Sequence, residues 1–154
     1  MNIFVLHQNP EVASVMHLDK HVVKMPLESA QILCTVHWEL GNTAPYKSTH
    51  RKHPCSSWAR LSINNYDWLC KLGLALCKEY TYRYNKVHKC EAIIEWCINN
   101  KPALPDIPMT SQPLAMPDVY KTSNDPVECY RNYYIGAKSH IHNWKNRQKP
   151  YWIN

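Results

Sequence analysis

Residues 17 to 33, HLDKHVVKMPLESAQIL, gather two histidines, one aspartate, two lysines and one glutamate in an otherwise apolar stretch. In a helix, Lys20, Lys24 and Glu28 fall at i, i+4 and i+8, with Gln31 three residues on, so they share one stripe. Val23, Leu27, Ala30 and Cys34 form a second stripe at the same spacing. One face can pack while the other presents an acid among bases. The bland alternative for Glu28 is an i, i−4 ion pair with Lys24, worth only a few tenths of a kcal/mol (~0.3) when exposed.

Other chemistries find less support. His17 and His21 have the spacing of a helical metal pair, and His50, His53 and Cys55 cluster further on. There is no CxxC or HExxH, however, and the pairs Cys70/Cys77 and Cys90/Cys97 are seven apart, which is one helix face. A His-based metal nuclease is thus the weaker alternative, and no metal is expected. Nothing singles out one of the seven thiols as a nucleophile. With three glycines and neither GxGxxG nor GxxxxGK, no familiar phosphate cradle can be built, and no cofactor is expected.

The residues that position this stripe occupy a chain of 154, the size of one domain, taken as residues 1–154. Ten tyrosines and six tryptophans outnumber a single phenylalanine, so several should lie half exposed with their polar ends in water. The formal net charge of +6 suits an anionic partner. No acidic side chain follows Glu128, whereas Arg131, Lys138, Lys145, Arg147 and Lys149 do. Mixed there with Tyr133, Tyr134, Trp144, Tyr151 and Trp152, these cations fit nucleic-acid binding, in which cations meet phosphate and rings stack on bases. The same pattern also fits a tail docked by its aromatics. The first residues lack the pattern of a signal peptide and no apolar run reaches about eighteen residues, so an intracellular chain with reduced thiols is expected. Asn2 disfavours removal of the initiator, so the free α-amine belongs to Met1.

The elements read as mainly α-helical. Residues 2 to 6, NIFVL, are a short extended or β-prone run. A helix starts at Pro10 with Asn9 as N-cap and continues to about Leu40, where Gly41-Asn42 stops it. Pro26 is expected to kink or divide it, which would leave Glu28 near a helix start. A polar loop spans 42 to 54. A long helix follows from about Trp58 to Tyr84, capped by Ser56 or Ser57, and another from about Lys89 to Asn99. The proline-rich residues 100 to 118 must wrap the surface. The last helix runs from about Asp125 to Trp144.

Taken together, LDKHVVKMPLESAQIL, then YKSTHRKHPCSSWAR, then a long helix ending EYTYRYN, resemble the pyrimidine-dimer DNA glycosylases of the phage endonuclease V type. Asp19, His21, Glu28, Gln31, His53, Pro54 and Trp58 occupy matching positions, and the resemblance spans about residues 1 to 85. It implies a compact all-α protein, acting as a monomer on damaged or modified duplex DNA. It further implies a glycosylase and AP lyase that uses the chain's own α-amine, here that of Met1, beside one glutamate, here Glu28. An α-amine suits such work, because its ordinary pKa of about 7.7–8.0 leaves far more free base near neutrality than a lysine at about 10.4. The phage members carry arginines beside the glutamate, where this chain has Leu27 and Gln31. DNA contacts are therefore expected from Asn2, Lys20, His21, Lys24, Gln31, His50, Arg51, Lys52 and His53, and from Lys145, Arg147 and Trp152 of the tail. A bulky Met1 would crowd the nucleophile, which makes Lys20 or Lys24 the substitute amine. The alternative without chemistry is a nucleic-acid-binding module using the same basic face.

Overall fold

The computed structural model describes all 154 residues and is all-α, without strands. Helix α1 (Pro10–Met16) starts where Asn9 Oδ1 accepts from the Glu11 and Val12 amides at 2.9 and 3.4 Å. Helix α2 (Asp19–Glu39) follows after only two residues. The expected division at Pro26 is corrected: the chain breaks at His17 and Leu18, both extended, and Pro26 lies inside α2. The break carries Leu18 wholly into the core. An internal proline costs about 3 kcal/mol, and here it sits in a buried stretch from Met25 to Ala30 interrupted only by Leu27. Glu28 consequently lies mid-helix, away from any helix start. Gly41, at φ +81°, then takes the left-handed conformation that ends the helix.

The expected helix from Trp58 to Tyr84 is likewise two. Helix α3 (Pro54–Ala59) is capped by His53, not by Ser56 or Ser57, and α4 (Ile63–Tyr84) is capped by Ser62. Helix α5 (Glu91–Asn99) packs on α2 and α4. Helix α6 (Pro126–Ala137) ends seven residues before Trp144 and is followed by a short 3-10 turn, Ser139–Ile141. The proline-rich segment is irregular as expected, and it is pinned. Trp58 Nε1 donates to Thr110 O, Ser62 Oγ to Ile107 O, and Asn65 exchanges two hydrogen bonds with Thr110.

The core joins α2, α4 and α5 with residues 3 to 6. Most tyrosines are half-buried or exposed, as expected, whereas Tyr66, Tyr130 and Tyr134 are fully buried. Each hydroxyl has an internal partner instead: His37 and Cys97 O for Tyr66, Asn2 and Pro113 O for Tyr130, His21 for Tyr134. All seven cysteines are buried free thiols. No helix is long and apolar enough to cross a membrane.

One buried charge network ties the ends of the chain to the bundle. Arg83, whose side chain is wholly buried, donates to Asp19 Oδ1 and Glu79 Oε1, each at 2.9 Å, and to Val15 O at 3.0 Å. Glu79 also receives Arg147 through both oxygens. Burial alone would push the Glu79 carboxyl up, but the hydrogen bonds from Arg147 and Arg83 outweigh it and hold it below the usual range. Asp19 in turn accepts from the Lys145 amide and the Asn143 side chain. Truncating the arginine would leave buried Asp19 without its cationic partner and Glu79 with Arg147 alone. Arg83→Met should therefore destabilise the fold by about 3–5 kcal/mol, measured by urea denaturation; a loss under about 1 kcal/mol, the value of a surface pair, would contradict this role.

Candidate active site

The site begins with how the first six residues are held. Ile3, Phe4, Val5 and Leu6 are 2, 5, 0 and 0% exposed. Asn2 Nδ2 donates to Ala115 O, while its Oδ1 accepts from the Ile3 amide and the Tyr130 hydroxyl. Phe4 stacks on His21 at 4.2 Å between ring centres, and Arg131 Nε donates to Leu6 O. The chain therefore enters the core almost at its first atom.

That atom meets Glu28. The Met1 α-amine lies 3.3 Å from Glu28 Oε1, and Lys24 Nζ lies 3.6 Å from Oε2, so each carboxylate oxygen faces a different amine. The Met1 side chain is only 2% exposed although the residue as a whole is partly exposed. Its thioether arm turns inward against the core, and what remains accessible is the backbone end that carries the amine. The expected crowding by Met1 is thereby avoided. Glu28 is 7% exposed, whereas the Lys24 side chain is 70% exposed.

Helix α3 closes another side. The Cys55 thiol lies against the Ile3 backbone, and burial pushes it up to about 12, so it is a neutral thiol despite the nearby ammonium. His53, two residues earlier, is half buried, and its Nδ1 accepts from the Cys55 amide at 3.1 Å. Burial lowers its pKa first; the α-ammonium and His50 lower it further, and Glu28 opposes them.

The remaining residues expected at the site divide. Lys20, Lys24, His50, Arg51 and Lys52 are exposed. Gln31 lines an open groove of about 380 Å³ together with Lys47, Thr49 and Lys89; Lys47 and Lys89 were missed because no sequence spacing ties them to α2. His21 is buried and Asn2 half-buried, and the bonds above engage both side chains within the protein. Arg147 is engaged likewise: it chelates Glu79 and stacks on Tyr82 at 3.9 Å. Lys145 lies over the Tyr84 ring and Trp152 packs between Arg131 and Tyr134, so this tail is docked through its aromatics. Its anchor at Asp19 is nine residues from Glu28, about 13 Å along α2. The histidines weighed as metal ligands are engaged separately: His17 Nδ1 with Ala13 O, His21 Nδ1 with the Tyr134 hydroxyl, His50 with Thr49 and His53 with Cys55.

A small helical domain with a terminal amine held on a nearly buried carboxylate is equipped for covalent amine chemistry. The chain belongs to the pyrimidine dimer DNA glycosylase family, whose model matches residues 1–92 and so takes in Met1, Glu28 and His53. No curated protein and no solved structure matches the chain. It is accordingly a DNA glycosylase by family, a protein of base repair that binds DNA.

The support beneath the site is sensitive to acid. Burial lowers His17 to about 4 and His21 to about 3, the latter helped by His17 and Lys138. Both are neutral in the folded protein, whereas in the unfolded chain they titrate near the ordinary histidine value of about 6.5. The stability they contribute is complete above 6.5 and is lost as the pH falls toward about 4, by roughly 1 kcal/mol per pH unit for each group. Urea midpoints should fall between pH 7 and pH 5, and His21→Leu should make the decline shallower. Equal slopes in the two proteins would contradict the buried neutral state of His21.

Proposed function

We propose that the protein cleaves the glycosyl bond of a pyrimidine dimer in duplex DNA with the Met1 α-amine as nucleophile, and then acts as an AP lyase. The observation that carries this reading is the 3.3 Å approach of the amine to the nearly buried Glu28. The resting ammonium gives a proton to Glu28 or to water, and the freed nitrogen lone pair bonds to the sugar C1′. The C1′–N bond breaks, its electron pair leaves with the base, and the base takes up a proton. The secondary ammonium so formed loses a proton, its freed nitrogen pair expels the ring oxygen, which is protonated, and a cationic Schiff base remains beside the Glu28 carboxylate. Removal of a C2′ proton drives β-elimination, in which the C3′–O bond breaks and the 3′ phosphate departs; Glu28 is the base within reach. Lys20, Lys24, His50, Arg51 and Lys52 supply the phosphate contacts in this reading, which their exposure supports, with Gln31 beside them.

A second reading makes Lys24 the amine, because its Nζ stands 3.6 Å from the other oxygen of Glu28. Its exposed side chain is far less constrained than the amine of a residue whose own side chain is anchored.

Glu28→Gln should slow incision of UV-irradiated duplex by at least about 100-fold, in the range of a lost acid–base group, while salt-sensitive DNA binding persists. Selective acetylation of the α-amine should abolish incision. Because every step uses only protein groups, incision should continue in EDTA. A binding module without chemistry would leave the irradiated duplex uncut in all three experiments.

A further inference from the structure

Bond cleavage at C1′ needs more than a nucleophile, because the departing base gains negative charge and must be met by a hydrogen-bond donor. The ionised Glu28 only accepts, and both its oxygens already face amines. Cys55 is sealed in the core. His53 differs from both. As the N-cap of α3 it uses Nδ1 to accept from the Cys55 amide at 3.1 Å, and this fixes the neutral ring as the tautomer with its proton on Nε2. Nε2 has no partner within the protein, yet it is not among the buried polar atoms left unpaired, so it is accessible to a ligand. The ring is also placed by rigid neighbours. Pro54 follows it at N1, and Cys55 rests on the Ile3 backbone, two residues from the amine.

Resting on the amine reading above, we propose that His53 is a further catalytic residue of this site, a neutral donor whose Nε2–H hydrogen-bonds a carbonyl oxygen of the departing pyrimidine. As the C1′–N electron pair moves onto the base, the negative charge spreads to that oxygen, and the donor stabilises it. The ring stays neutral before and after, and the proton finally taken by the base comes from the attacking amine through solvent. The role is confined to departure of the base. Once the base is gone, attack of the amine on an abasic aldehyde no longer uses it.

The cap and the donor can be separated. His53→Asn retains an oxygen that can accept from the Cys55 amide, whereas His53→Ala removes cap and donor together. With the full chain, His53→Asn should keep the wild-type urea midpoint. It should lower the single-turnover rate of glycosyl-bond cleavage on dimer-containing duplex by about 100-fold, the loss seen when one preorganised donor is removed. Borohydride capture on a preformed abasic duplex should stay within about two-fold of wild type. Unchanged cleavage of the dimer substrate, or an equal fall in both reactions, would overturn the donor role. Failure of the unsubstituted protein to be captured on abasic DNA would instead overturn the amine reading, and the donor role with it.

Discussion

An extended segment buried without a partner strand has to find its hydrogen bonds elsewhere, and residues 2 to 6 do so through Asn2, Tyr130, Arg131 and a turn-like bond from the Leu6 amide to Phe4 O. Four consecutive side chains then fill the core. Each contributes about 1.5–3 kcal/mol on burial, whereas the attraction in a single ion pair on a nearly buried carboxylate is offset by the cost of removing that charge from water. Burial of the segment, and not the attraction between Met1 and Glu28, therefore holds the amine in place. The ion pair selects where the first atom points, and the core fixes how far it can move. Preorganisation of this kind is what lets a flexible chain terminus serve a geometrically demanding reaction.

The rest of the fold can be read as support for that segment. Phe4 rests on His21, His21 is bonded to Tyr134, and Tyr134 belongs to α6. Asn2 and Tyr130 fasten the proline-rich segment over the chain's beginning, and Asn65 and Trp58 fasten the same segment to α3 and α4. At the other end of α2, Asp19, Arg83, Glu79 and Arg147 bind the C-terminal tail. Paired buried charges are costly to assemble and costlier to break, so this network sets a definite register between α2, α4 and the tail. Helix α2 thus has a structural end at Asp19 and a chemical middle at Glu28.

That division explains what could be read from residues alone. Lys24 and Glu28 were legible because an i, i+4 pair on a helix faces one way whatever surrounds it. The helix ends at Asn9 and Gly41 follow from local backbone chemistry, and they stand where such residues place them. The break at His17–Leu18 was not legible, since it follows from the pull of the core on Leu18 and not from any local breaker. Pro26, the strongest local breaker, is overruled by its buried surroundings. His21, Asn2 and Arg147 carry polar groups suited to DNA, and only long-range partners such as Tyr134, Tyr130 and Glu79 turn them into supports. Of the residues that carry the resemblance, Asp19, His21 and Trp58 thus serve the scaffold, while Glu28 meets the amine and His53 lies near enough to feel its charge.

The central claim is that the reacting nitrogen is the chain's first atom. It is tested most directly by locating the bond made when borohydride reduces the Schiff base on abasic DNA. Digestion with trypsin separates the candidates, because the first cleavable residue is Lys20 and the next is Lys24. An α-amine adduct places the sugar on the peptide of residues 1–20, with cleavage after Lys20 intact; that is the predicted result. An adduct on a peptide uncut at Lys20 or at Lys24, with the peptide's first residue unmodified, would contradict it.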